Sequence, residues 1–193
     1  MMTSIISALA LVLPAALAAP APVDPSALGY TLGNETFSGI TIRSGSPIQY
    51  GTINANGTYF YVNNYGTSTY CPLPTCLGKT NTTIFKNGVD KLALDVMAPG
   101  GQEVYVDRTG ALRFTVAHSA SKGRHSLTSG FALVNAGLRL QFEGQEWLAC
   151  PVEGVKNGYK VYAAAVTTDN SHHCLGFQWR VAPSTGLPAF EYA

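Results

Sequence analysis

Residues Pro99 to Ala120 read PGGQEVYVDRTGALRFTVAHSA. On the first arm Val104 and Val106 alternate with Glu103, Tyr105 and Asp107. On the second, Leu112, Phe114 and Val116 alternate with Arg113, Thr115 and Ala117. A period of two sends alternate side chains to opposite faces of a strand. Between the arms, Asp107-Arg108-Thr109-Gly110 is turn chemistry: the aspartate bonds its own backbone and glycine accepts positive φ. The stretch predicts a β-hairpin that turns Val104, Val106, Leu112, Phe114 and Val116 toward a core. Pro99-Gly100-Gly101 and His118-Ser119 close it off at either end.

Working outward, short β-rich segments separated by Gly, Asn and Pro recur in both directions. Toward the N-terminus lie Lys91–Met97, Thr83–Phe85, Thr58–Val62, Ile48–Ile53 and Ile40–Arg43, with Asn54–Gly57 read as a turn and Asn63–Thr83 as a long polar loop. Toward the C-terminus lie Phe131–Val134, Leu138–Phe142, Glu146–Cys150, Tyr159–Val166 and Leu175–Val181. Almost nothing from Phe37 onward reads as helix. This pattern predicts an all-β fold: a single compact β-sandwich or barrel over residues 37–193. Phe60, Tyr105 and Trp147 each follow a glycine in a strand, at spacings of 45 and 42, and a repeat of that period offers a β-trefoil-like barrel as the alternative.

Residues 1–18 read as a signal peptide. Ile5–Leu17 is apolar apart from Ser7 and Pro14, and Ala16-Leu17-Ala18 is a small-x-small cleavage site. Residues 19–36 begin Ala-Pro-Ala-Pro and are expected to be a flexible lead-in. Secretion gives the four cysteines an oxidising compartment. Cys71, Cys76, Cys150 and Cys174 allow three pairings; the local one, Cys71–Cys76 and Cys150–Cys174, is expected over a Cys₄ zinc site, whose spacing is absent. Asn34, Asn56 and Asn81 each open an N-x-[ST] sequon and are expected to be glycosylated at exposed positions.

Composition narrows the partners. Charged residues are 12% of the 193 and the formal net charge is +1. No basic excess is present to neutralise phosphates or dock on an anionic membrane, so neither nucleic acid nor membrane is an expected partner.

No catalytic residue is assigned. The four histidines, His118, His125, His172 and His173, make a triad with Ser119 and Asp107 or Asp169 only on paper, and the chain holds no G-x-S-x-G elbow. Ser119-Ala-Ser-Lys122 matches S-x-x-K in letters but sits in a loop. His172-His173 beside Cys174, with His118 or His125, could ligate one ion only if the segment turned, because neighbours on an extended chain face opposite ways; no metal or cofactor is expected. Glu103, Asp107, Glu143, Glu146 and Glu153 lie near strand ends, but spacing selects no pair for glycoside hydrolysis. Tyr50, Tyr61, Tyr65, Tyr70, Tyr159 and Trp179 could stack on a glycan; the competing reading is half-buried strand aromatics.

Several motifs in order carry a resemblance: Ile42-Arg-Ser-Gly-Ser-Pro-Ile48, Tyr70-Cys-Pro72, Pro99-Gly-Gly-Gln102, Val104-Tyr-Val-Asp107, Gly110-Ala-Leu112, Ala117-His-Ser-Ala120, Ala149-Cys-Pro151 and Cys174-Leu-Gly-Phe177. With them the chain resembles the fungal secreted cell wall protein PhiA family from about Phe37 to Tyr192. Gln49 and Leu77 depart from the family's pattern, where histidine and proline are expected. The resemblance implies a secreted, glycosylated cell wall protein associated with phialide and conidium development, and it carries over no catalytic residue. Association with wall polysaccharide, chitin or β-glucan, is the resulting expectation. The alternatives are a lectin-like carbohydrate-binding module and a secreted hydrolase or effector.

Overall fold

The computed structural model describes residues 36–76, 81–167 and 173–193. The expected signal peptide, nearly all of the lead-in, Asn34, Leu77, Asp169 and His172 lie outside the described residues. The strands are β1 (Thr36–Ile42), β2 (Ile53–Asn56), β3 (Tyr59–Val62), β4 (Thr69–Tyr70), β5 (Phe85–Asn87), β6 (Leu92–Leu94) and β7 (Gln102–Val106). They continue as β8 (Leu112–Phe114), β9 (Phe131–Val134), β10 (Arg139–Phe142), β11 (Trp147–Pro151), β12 (Tyr159–Ala163), β13 (Leu175–Pro183) and β14 (Glu191–Tyr192).

Nine strands hydrogen-bond in a closed ring, in the order β1-β5-β6-β7-β8-β3-β12-β11-β13 and back to β1. The expected sandwich-or-barrel is therefore a barrel. It does not take the trefoil form. Phe60, Tyr105 and Trp147 lie on β3, β7 and β11, which are spaced two, two and five places round the ring where a threefold repeat needs three each. The nine-residue β13 anchors the closure. Its first residues pair with β11 and the rest with β1, from Gln178↔Ile42 to Pro183↔Phe37. The β9–β10 hairpin extends from β13, β2 pairs with β3, and β4 and β14 form a separate two-stranded sheet. Among the described residues no helix is long and apolar enough to cross a membrane.

The interior is aromatic. Phe37, Phe60, Phe85, Phe114 and Trp179 are at most 2% exposed, and Phe85 packs against Phe37, Phe60 and Trp179 with centroids 5.2–5.6 Å apart. Trp179 continues through Trp147 to Phe131 and Phe142 under the β9–β10 hairpin. Each such burial stabilises by about 1.5–3 kcal/mol before chain entropy is counted. Gly39 lets Trp179 lie directly against the β1 backbone, since a Cβ there would fall 2.5 Å from the indole nitrogen.

The opening hairpin forms as β7 and β8, with Val104 facing Phe114 and Val106 facing Leu112. Asp107 Oδ1 accepts from Thr109 N, Thr109 Oγ1 and Ala111 N, which fixes the turn. Its inward run stops one position early, because Val116 is 59% exposed and Thr115 is buried instead. The Thr115 hydroxyl accepts the Glu103 N–H and the Thr115 N–H donates to the Glu103 carbonyl, so a side chain enters the ladder and alternation ends. Gln102 clamps the C-terminus. Its Nε2 donates to the Thr115 and Tyr192 carbonyls, and its Oε1 accepts Tyr192 N–H.

Two further expectations shift. Ile48 to Gly51 is turn and not strand, with Ile48 buried as a plug. Asn54 to Asn56 is strand and not turn: the Asn54 and Asn56 amides reach across to the Tyr65 and Gly66 carbonyls at 2.8 and 3.0 Å, and Asn54 makes only longer contacts to nearby Thr52. The tight turn is Gly57-Thr58, both at positive φ. The disulfides are Cys71–Cys76 and Cys150–Cys174, with Cα separations of 6.2 and 4.1 Å. All four sulfurs are paired, so none is left as a thiolate for zinc.

Candidate functional site

The ring order sets four strands with polar outer faces side by side. On β7, β8, β3 and β12 the inward positions are apolar apart from Gln102, while Arg113, Tyr59, Tyr61, Lys160 and Tyr162 alternate outward at partial exposure; Tyr105 shares their register but is covered, at 4% exposure. Register brings Tyr105 opposite Arg113, Arg113 opposite Tyr59, and Tyr61 opposite Lys160. The Lys160 ammonium lies 3.9 Å from the Tyr59 ring centroid and 5.7 Å from that of Tyr61. The Arg113 guanidinium lies 4.3 Å from Tyr59 and 6.0 Å from Tyr105. Tyr65, from the loop after β3, stacks on Tyr61 with centroids 4.0 Å apart and planes at 20°.

The face is partly dry. Burial pushes the phenols of Tyr61, Tyr105 and Tyr162 above the usual tyrosine range. Burial, and then the Arg113 charge, draws Lys160 below the usual lysine range, with Asp107 opposing. Arg113 donates to the Thr58 hydroxyl at 3.1 Å and lies 3.9 Å from Asp107 Oδ2. Apolar rings with hydroxyl rims and adjacent donors suit a ligand with both C–H faces and hydroxyls, as a sugar has. Tyr162 carries the face to a cavity of about 1250 Å³, also lined by Arg108, His125, Glu153 and His173.

Other residues named from sequence fall elsewhere. His118 and Ser119 line a shallow cleft of about 500 Å³ beside Gly101 and Glu103. Asp107 sits at the far end of β7, so the three do not assemble. Lys122 pairs with Glu103, and Ser119 Oγ accepts from Ser121 N–H, so the S-x-x-K letters bring no lysine to the serine. Glu146 is held by Arg139 and Gln141. Among the described residues no group of three or more His, Cys, Asp or Glu is placed to hold a metal.

Of the expected stacking residues, Trp179 and Tyr159 are core, at 0% and 9% exposure. Tyr50 is exposed in the turn after β1 and Tyr70 is exposed on β4, in the separate two-stranded sheet. Only Tyr61 and Tyr65 join the face. Sequence reasoning missed Tyr59, Tyr105, Tyr162, Arg113 and Lys160. Their signal was present as the polar positions between apolar ones on each strand, but strand adjacency was not.

Fold and face together define a disulfide-bonded β-barrel that presents an aromatic, cationic surface. The chain belongs to the PhiA-like secreted protein family, whose model matches residues 37–193. It is 29% identical to a cell wall protein phiA of Emericella nidulans over 173 residues, 82% of this chain and 87% of that relative. A cell wall protein phiA of Aspergillus niger is 28% identical over 187 residues, covering 94% and 96%. One from Aspergillus fumigatus is 25% identical over 164 residues, covering 82% and 85%. No solved structure matches.

Proposed function

We propose that this protein is a secreted, non-enzymatic component of a fungal cell wall that holds wall polysaccharide, chitin or β-glucan, on the outer face of β7, β8, β3 and β12. Membership in a secreted family and relatives named as cell wall proteins support the location. The observation that carries the binding role is the Tyr61–Tyr65 stack beside Tyr59, Arg113 and Lys160, an aromatic surface the core does not use. Glycans on Asn34, Asn56 and Asn81 belong to the same reading. Asn81 is exposed, and Asn56 keeps one amide hydrogen for the Gly66 carbonyl after modification at Nδ2. A role in phialide and conidium development follows from the family resemblance.

The test is cosedimentation of the purified secreted protein with insoluble chitin and with β-glucan, with soluble sugars measured in the supernatant. Binding without sugar release is expected. Sugar release that is lost on changing one acid, such as Glu153→Gln, would make the protein a hydrolase. Binding to neither polymer would remove the polysaccharide role.

A further inference from the structure

The half-buried cations divide unevenly. Arg113, Lys122 and Arg139 each sit against a carboxylate, of Asp107, Glu103 and Glu146 respectively. Lys160 is also half-buried, yet among the described residues no carboxylate lies in ion-pair range of it. Its ammonium faces Tyr59 and Tyr61 instead. Cation–π contact compensates a partly desolvated ammonium only in part. The acid nearest this face cannot supply the rest. One oxygen of Asp107 is taken by the hairpin turn and the other faces Arg113. Arg113 adds positive potential from the same side and keeps a buried Nε–H without a partner. The face therefore combines a sugar-sized aromatic stack with one uncompensated positive charge beside it.

We propose that this face selects glycan carrying anionic groups, carboxylate or phosphate, with Lys160 as the residue that reads the charge. This rests on the polysaccharide role proposed above and narrows it to a class of ligand. A sugar ring on Tyr61 and Tyr65 places its substituents toward Lys160, because Lys160 is the cross-strand partner of Tyr61. An anion there gives Lys160 the charge partner the other three half-buried cations already have. Draw-down of the Lys160 ammonium by burial and by Arg113 agrees in direction, since an anion would reverse it.

The test is calorimetric titration of the intact secreted protein with soluble β-1,3-glucan, its carboxymethyl derivative and its phosphate ester, all of one length. The anionic forms should bind about fivefold tighter than the neutral parent, as for a partly exposed ion pair, and the gap should shrink in about 0.5 M salt. Lys160→Gln should abolish the preference, Lys160→Arg should keep it, and Lys86→Gln, an exposed lysine on β5, should leave it unchanged. A preference for only one of the two derivatives supports the proposal and identifies the anion. Equal affinity for neutral and anionic glucan, or a preference that survives in folded Lys160→Gln, overturns it and leaves polysaccharide binding standing. No binding of any of the three overturns it as well, and the polysaccharide role itself then stands or falls on the chitin cosedimentation.

Discussion

The two sides of β3 make opposite use of the same kind of side chain. Phe60 points inward and is 0% exposed, packed against Phe85 and Phe114. Tyr61, the next residue, points outward and shares its ring face with Tyr65 and the edge of Lys160. Inside, aromatics are matched to one another and leave no polar demand unmet except the Trp179 indole N–H. Outside, they are interleaved with cations whose compensation is incomplete. One residue of register separates a fold determinant from the proposed binding surface. Aromatic content alone therefore says little about function in a β-barrel, and strand face says a good deal.

The widest separation of the two sides should come from Phe60→Ala. Removing a fully buried ring should cost about 3–5 kcal/mol, read as a lower urea midpoint with unchanged slope. A loss under about 1 kcal/mol would mean that the interior is not packed as described. Next is Gln102→Met, of similar volume, which strips partners from the Thr115 carbonyl and from both backbone groups of Tyr192. Leaving such buried groups unpaired should cost about 2–3 kcal/mol and expose the C-terminal strand to hydrogen exchange.

Tyr192 sharpens the contrast between a buried and a surface phenol. Burial pushes it up to about 12, against 10.0 for a free tyrosine, with the Ile84 N–H donating to its oxygen. The unfolded chain therefore ionises first as pH rises. The stability it contributes is complete below about pH 10 and is lost toward pH 12, about 2–3 kcal/mol in all. Tyr192→Phe should start lower at pH 8, because Ile84 N–H loses its acceptor, and should fall less between pH 9 and 12 in urea titrations. An equal fall in both proteins would place Tyr192 in water.

Much of the barrel was legible along the chain because alternation is local. Val104, Val106, Leu112 and Phe114 declare their face without reference to anything distant. The failures occurred where a long-range partner overrides local chemistry. Asn54 and Asn56 look like turn residues, but they bond a loop some ten residues away. Val116 looks inward, but the Thr115 hydroxyl takes a place in the ladder. Trp179 looks available to a glycan, but Gly39 opens a seat for it in the core. The candidate face was illegible for the same reason. Tyr59, Arg113 and Lys160 are visible as outward positions, yet only the ring order β8-β3-β12 makes them neighbours.

The smallest expected stability change bears the most weight. Replacing both Tyr61 and Tyr65 by alanine, at half-exposed positions, should alter stability by about 1 kcal/mol or less. Binding of that double variant to insoluble β-glucan, measured by cosedimentation beside the wild-type protein, tests the account most directly. The prediction is at least a tenfold weaker affinity, about 1.4 kcal/mol, in a protein with native circular dichroism. Unchanged affinity in the folded variant would contradict it.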